Sequence, residues 1–340
     1  MRVLKRSWLS ALLWCGFGIF LLLGFMEANA ISQFHGISLR YSTPINGQAA
    51  QRARQYSIAN AGADNFWPTF WRESRAELST GTRAVQSRAI SFSGDAALVW
   101  PAEFLTGSAP SSIDAKGIAV SEPLARRLWG STDIIGMPVY AEGKPRIVRG
   151  VFEGAVELAL LSYHIEDTSQ SWTAVELAGG MPHSTRNNAE GFAAVSGLGR
   201  PDYVLMGGAM TLARFMAVFP LLMLALFSLV LCAGHLKKHY RAAITPVIFA
   251  GLILFAFLLP HLLNVLPPWI IPTHWSDFSF WSLLFRQASE SLREFLILPP
   301  MLRDVELKLR LLRQGGILFC SICLGVAACV RFCRGGYLHT

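Results

Sequence analysis

Charged side chains are scarce in this sequence. Asp, Glu, Lys and Arg make up 15% of its 340 residues, where a soluble domain carries about 25%. Ordinary soluble packing therefore does not account for the whole chain, and a hydrophobic content of 52% excludes a disordered one. Cysteine is missing from the middle of the chain. Cys15, Cys232, Cys320, Cys323, Cys329 and Cys333 all lie in or beside apolar runs towards the two ends. Residues 31–205 thus have no disulfide, and packing alone must hold them. Catalytic signatures are missing too. The absence of G-x-x-x-x-G-K-[ST], H-E-x-x-H and G-x-S-x-G removes a phosphate loop, a zinc-protease helix and a nucleophile elbow.

What is present is an excess of positive charge, +8 overall. Its distribution decides its meaning. Residues 27–210 hold 15 basic and 17 acidic side chains, a net of −2, so the totals of 30 and 22 leave +10 on the two ends. A nucleic-acid groove needs a basic face on a folded domain. Here the excess flanks the apolar segments instead, as the positive-inside rule describes, and no nucleic-acid partner is expected.

Trp8 to Met26 is a 19-residue run without charge after Arg2, Lys5 and Arg6, close to the roughly 20 residues that span a bilayer. Ala28-Asn29-Ala30 offers the rival reading of a cleaved signal peptide, but the run is longer than a usual signal core, and an uncleaved anchor is expected. Two further uncharged runs follow, Phe215 to Ala233 and Ile244 to Leu266, joined by a link holding Lys237, Lys238 and Arg241. The last run, Ile317 to Val330, reaches spanning length only by taking in neighbours near Gln314 or Cys333, with Arg331 snorkelling. The expected organisation is an anchor over 1–30, an extracytoplasmic domain over 31–208, and a membrane domain over 209–340 with spans near 212–234, 244–266 and 315–333. That organisation predicts a four-span protein of the plasma membrane with both termini inside. Residues 286–314 resist that topology, because six basic and four acidic side chains would lie outside. A helical face of Phe280, Trp281, Leu284, Phe285, Ala288 and Leu292 at the membrane surface is one resolution; a last run that never spans is the other.

The outer domain reads as α+β, with short helices on a mixed sheet. Arg88 to Phe92 and Ala96 to Trp100 read as strands. Ala119-Val120 is a strand, Ser121 caps a helix with Glu122 and Pro123 in its first turn, Leu124, Ala125 and Leu128 form its apolar face, and Gly130 stops it. Ile134-Ile135-Gly136 turns into a strand Met137 to Tyr140. Glu142-Gly143-Lys144 is a hairpin turn, and Arg146 to Phe152 returns with Ile147 and Val151 on alternating positions around Gly150.

These residues carry a resemblance. Gly117 to Gly130, then Asp133-Ile134-Ile135-Gly136, Gly143-Lys144 and Val148-Arg149-Gly150-Val151, resemble the periplasmic core domain of MacB-like and FtsX-like ABC transporter permeases, with Trp129 where that family has Phe. Gly94-Asp95, Pro101, Leu105 and Gly107 resemble the approach to it. The motif residues Ser121, Glu122, Leu124, Ala125, Leu128, Gly130, Gly136 and Gly150 are scaffold. The resemblance implies a permease subunit, working as a homo- or heterodimer in membrane lipid, whose motion is driven by a cytoplasmic ABC ATPase. ATP would bind that partner; no cofactor, metal or catalytic residue is expected in this chain. Lys237, Lys238 and Arg241 are the candidate ATPase-facing residues, although the link Gly234 to Arg241 is shorter than the family's docking stretch. That shortness favours a second reading, a membrane-anchored sensing or scaffold protein that binds a partner without ATP.

Other candidates read as ordinary structure. Cys320-x-x-Cys323 sits in a Gly/Ala-rich apolar helix and reads as packing. His164, Glu166 and Asp167 read as a surface turn, and His183-Ser184 near Glu190 as solvated polar residues. His261 and Asn264 read as helix packing or interface, Pro220 and Pro260 as kinks, and Phe66, Trp67, Phe70 and Trp71 as core at i, i+4 spacing.

Overall fold

The computed structural model describes residues 2–34, 36–62, 65–111, 113–164, 166–179, 186–205, 212–224, 227, 278–298 and 301–336. The chain forms two compact units. One gathers Met1–Ser32, Gly208–Leu284 and Glu306–Thr340; the other gathers Gln33–Gly207 and Phe285–Val305.

The second unit is a ten-stranded mixed sheet with helices on it. Its elements are β1 Ile37–Asn46, α2 Gly47–Ala59, β2 Phe66–Ser79, β3 Ala84–Ser93, α3 Ala96–Val99, β4 Phe104–Gly107, β5 Gly117–Ser121, α4 Glu122–Trp129, β6 Pro138–Ala141, β7 Lys144–Phe152, β8 Leu158–Ser162, β9 Ser171–Gly179, α5 Arg186–Val195 and β10 Tyr203–Leu205. The order is β10-β1-β9-β2-β3-β8-β5-β7-β4, with β6 paired to β2 and β7. Pairs β3–β8 and β5–β7 are parallel and the other pairs antiparallel.

Alternation along the strands feeds two cores, because successive side chains leave opposite faces. On β2, Phe70 enters one core and Trp71 the other; on β5, Ile118 and Val120 enter the first and Ala119 the second; on β8, Ala159 and Leu161 part from Leu158 and Leu160. The larger core is closed by Ala49, Ala50 and Ala53 of α2, Leu124, Ala125 and Leu128 of α4, and Ala189, Phe192 and Ala193 of α5. The smaller takes Ala96 and Val99 of α3 and Leu302. Each fully buried Leu- or Phe-sized side chain contributes about 1.5–3 kcal/mol.

The four-residue aromatic group therefore lies on a strand, not a helix. Phe66, Phe70 and Trp71 are buried and Trp67 is partly exposed. The expected strand Ala96 to Trp100 is instead a single helical turn. Gly94 has φ +129°, and the Asp95 carboxylate accepts from the Ala97 N–H at 2.9 Å, so the chain closes a turn where its apolar run alone suggested extension.

The other unit contains α1 Arg2–Ser32, α6 Leu212–Leu224 and most of a last helix, α8 Leu302–Gly336. A helix α7, Phe278–Ile297, precedes α8. Among the described residues two helices, over Ala11–Ser32 and Leu302–Arg331, are long and apolar enough to cross a membrane. The expected middle spans lie outside the described residues apart from α6, as do Pro260, His261 and Asn264. The side chains proposed for the interfacial face of α7 are likewise not described.

Helices α1 and α8 pack antiparallel within this unit. A Cβ on Gly16 would stand 3.4 Å from Leu324, one on Gly24 3.5 Å from Ile317, and one on Gly325 3.0 Å from Phe17. Small residues let the backbones approach. At one end of the pair the buried Glu27 carboxylate meets Arg310 at 3.9 Å and also Arg313. Gln314 Nε2 donates to the Ala213 carbonyl at 3.4 Å.

Candidate functional site

The strand–helix–hairpin stretch behaves largely as its residues suggest. Glu122 and Pro123 open α4, and Leu124, Ala125 and Leu128 are buried on its inner face. Gly130 takes the left-handed conformation at φ +75° and returns its N–H to Arg126 O at 2.8 Å. Gly136 turns at φ +82°. Glu142 and Gly143 have φ +52° and +74°, the two positive values of a tight hairpin turn that matches strand twist.

Two details differ. Ser121 stands at the N-cap but makes no side-chain cap bond. Its Oγ accepts from the Leu158 N–H at 2.9 Å, so the hydroxyl joins β5 to the end of β8 rather than serving α4. The return strand also changes face midway. Ile118 pairs with Val148 but Ala119 pairs with Gly150, leaving Arg149 bulged out. A bulge reverses the alternation beyond it. Arg146 and Val148 are consequently buried on one side of the bulge and Val151 on the other, while Ile147 is only half-buried.

Arg146 is the less expected of these. Its Nη1 donates to the carbonyls of Ala115, Gly117 and Ser162, and its guanidinium lies 4.5 Å from the Tyr163 ring centroid. Tyr163 in turn donates to Glu142 Oε2 at 2.7 Å. Burial, with this hydrogen bond second, pushes the Tyr163 hydroxyl above its ordinary range. One charged side chain thus knits three strands and the hairpin turn.

The second core holds a feature absent from the sequence reading. Glu176 on β9 accepts from Ser38 Oγ at 2.7 Å and Trp71 Nε1 at 2.9 Å through one oxygen, Oε1. Arg40 of β1 lies 3.5 Å from that oxygen and stacks 4.6 Å from the Trp71 ring centroid. The first turn of α8 completes the group. Arg303 Nη1 lies 3.3 Å from Glu176 Oε1, Asp304 Oδ1 accepts from Arg40 Nη2 at 2.8 Å, and Arg303 Nη2 donates to Leu98 O at 3.1 Å. Glu73 Oε2 accepts from the Leu302 N–H at 2.7 Å, capping the helix from β2. All four ionised side chains are at most 5% exposed. Glu176 is the sole acidic residue in the otherwise mostly apolar β9, the signal by which the sequence could have marked it.

Part of the segment that resisted the topology is absorbed here and in the helical unit, while Arg286, Glu290 and Arg293 of α7 are exposed. Arg303 and Asp304 are in the sheet unit's core, Arg310 pairs with Glu306 at 2.8 Å, and Arg310 and Arg313 face Glu27. Lys237, Lys238, Arg241, His183 and Ser184 lie outside the described residues. Glu190 pairs with Arg186 at 2.9 Å, and Asp167 caps a turn at Ser169 and Gln170. Among the described residues no group of three or more His, Cys, Asp or Glu is placed to hold a metal ion, and Cys320 and Cys323 are free thiols.

No protein-family model matches the chain, and no curated protein does. Among solved structures, the chain is similar to the extracellular domain of the noncanonic ABC-type transporter YknZ from Gram-positive bacteria. The identity is 12% and the TM-score 0.40, over 50% of this chain and 97% of that one. It is also similar to the periplasmic region of MacB from Actinobacillus actinomycetemcomitans, at 10% identity and TM-score 0.41, over 53% and 93%.

Proposed function

We propose that this chain is a permease-type subunit of an ABC-type transporter or mechanotransmission complex, multi-pass in the plasma membrane, with its sheet domain outside and its ATP bound by a separate cytoplasmic ATPase. The observation that carries the reading is the placement of the sheet domain in the chain. Most of it is inserted between two helices of spanning length, α1 and α8, and its β5–α4–β6–β7 stretch follows the residue pattern of the permease core domain. A mechanical or partner-binding role needs no acid–base or nucleophilic constellation. The subunit would pair with a second permease copy, and Lys237, Lys238 and Arg241 would face the ATPase.

A second reading, a membrane-anchored sensing or scaffold protein, is favoured by the shortness of the Gly234 to Arg241 link. Mild detergent extraction with crosslinking separates the two. Recovery of a P-loop ATPase whose turnover this chain stimulates supports the permease; its absence from the crosslinked material leaves the scaffold. For topology, Lys308→Cys should be labelled by an impermeant thiol reagent from outside, and labelling from the cytoplasm alone would refute the four-span arrangement.

A further inference from the structure

The Arg40–Glu176–Arg303–Asp304 group does more than fill a core. It splits into two halves that are each neutral. Arg40 and Glu176 belong to neighbouring strands β1 and β9 and lie 3.5 Å apart, so both stay on the sheet if α8 moves away. Arg303 and Asp304 are adjacent in the chain. Withdrawing the first turn of α8 therefore separates one neutral pair from another, and no net charge is stranded on either side. That differs from an ordinary buried ion pair, where removing one partner leaves an uncompensated charge.

The docked group is also incompletely bonded. Arg40 Nε and Nη1, Glu176 Oε2, Arg303 Nε and Asp304 Oδ2 are buried without a hydrogen-bond partner among the described residues. A half-satisfied polar network is worse than an apolar core, and all five atoms would regain hydrogen bonds in water. Apolar contact holding the turn down is small. Among the described residues Leu302 is the α8 side chain in the second core, with Met301 packed against that core. Glu176, by contrast, keeps its Ser38 and Trp71 donors without α8, so the sheet face survives undocking intact.

We propose that the first turn of α8 is a releasable latch, docked on the β1–β9–β2 face through the Arg40–Asp304 and Arg303–Glu176 contacts, with one positive and one negative side chain on each side, and balanced so that release needs little free energy. The latch stands on this geometry alone; its use, to let the last helix engage and disengage the outer domain during a transport cycle, rests on the permease reading.

Hydrogen exchange on the full chain in detergent micelles tests it without any ATPase. In the unmodified protein, amides of residues 302–307 should exchange at least tenfold faster than those of β2, β3 and β9. Exchange of both sets at one common rate would overturn the latch. The double variant Arg303→Asp/Asp304→Arg keeps the dipeptide neutral but sets like charges against Arg40 and Glu176. It should raise exchange at 302–307 a further tenfold or more and leave β2, β3 and β9 protected; loss of protection in those strands would show a plain core. The opposite arm, Arg40→Met/Asp304→Leu, replaces a pair that water can reclaim with one that it cannot. It should slow exchange at 302–307 about tenfold, and unchanged or faster exchange there would count against the proposal.

Discussion

Arg40 Nη2 donates to Asp304 Oδ1 at 2.8 Å across 264 residues of chain. This contact and its neighbour account for two of the charges in the segment between the apolar runs. Asp304 is spent on an arginine from the first strand, and Arg303 on a glutamate from the ninth. Charge near an apolar helix reports topology only when the charge faces solvent or lipid headgroups. Here the interior of a domain takes it.

Gly107 and Gly143 both have positive φ, +69° and +74°, but only Gly107 is crowded: an added Cβ would overlap the Arg149 carbonyl, while Gly143 has open space around it. Gly143→Ala should lower stability by about 1 kcal/mol, the left-handed penalty alone. Gly107→Ala should lose about 3 kcal/mol or more, because β4 must move off β7. Thermal unfolding of the two variants side by side should show the difference, and equal losses would mean that β4 is not held against β7 as described.

Ser121 offers a choice between two roles. If its hydroxyl serves the Leu158 N–H, Ser121→Ala should cost about 1–3 kcal/mol, the range for a buried donor left unpaired, and Ser121→Asn should not restore it. Were capping of α4 its task, asparagine would be as good a residue as serine. Denaturant titration of both variants distinguishes these outcomes.

Tyr163 and Tyr41 are both held protonated above the ordinary tyrosine range. Burial comes first in each case, followed by the Glu142 hydrogen bond for Tyr163 and the Asp202 charge for Tyr41. In the unfolded chain tyrosine ionises near pH 10. A folded value raised above the unfolded one contributes stability that is complete below about pH 10 and fades as pH rises further. Unfolding midpoints should fall above that pH, and Tyr163→Phe should make the fall shallower while forfeiting the bond to Glu142. An identical alkaline slope in the variant would assign the effect elsewhere.

The antiparallel α1–α8 pair predicts specific crosslinks. With the native cysteines replaced, Gly24→Cys and Ile317→Cys should join under mild oxidation, since a Gly24 Cβ stands 3.5 Å from Ile317. Gly24→Cys with Leu324→Cys should not, because Leu324 lies against Gly16, two helical turns away. A gel shift for the second pair and none for the first would mean a different register.

Much of the sheet domain was legible where local chemistry acts alone. Gly130, Gly136 and the Glu142–Gly143 turn are set by backbone conformations that few residues adopt, so sequence and structure agree on them. Five apolar residues from Ala96 to Trp100 fit a strand or a buried turn equally well, and the deciding bond comes from Asp95. Ile147 and Val151 share alternating positions in the sequence, but Ile147 is half-buried and Val151 buried, because the bulge at Arg149 belongs to a pairing between β5 and β7 that neither strand reveals by itself.

The sequence alone determined where the chain is greasy, where its charge sits, and which short stretches turn, cap or alternate. Those properties depend on neighbours within a few residues. Tertiary structure decided which charges meet. Glu176, Arg40, Arg303 and Asp304 are separated by well over a hundred residues in places, and no local pattern ties them together. Their pairing follows from the strand order that sets β1 beside β9 and from a helix whose first turn closes the second core. The physical reason is that burial of charge is tolerated only with partners in reach, and only the folded chain says which partners those are.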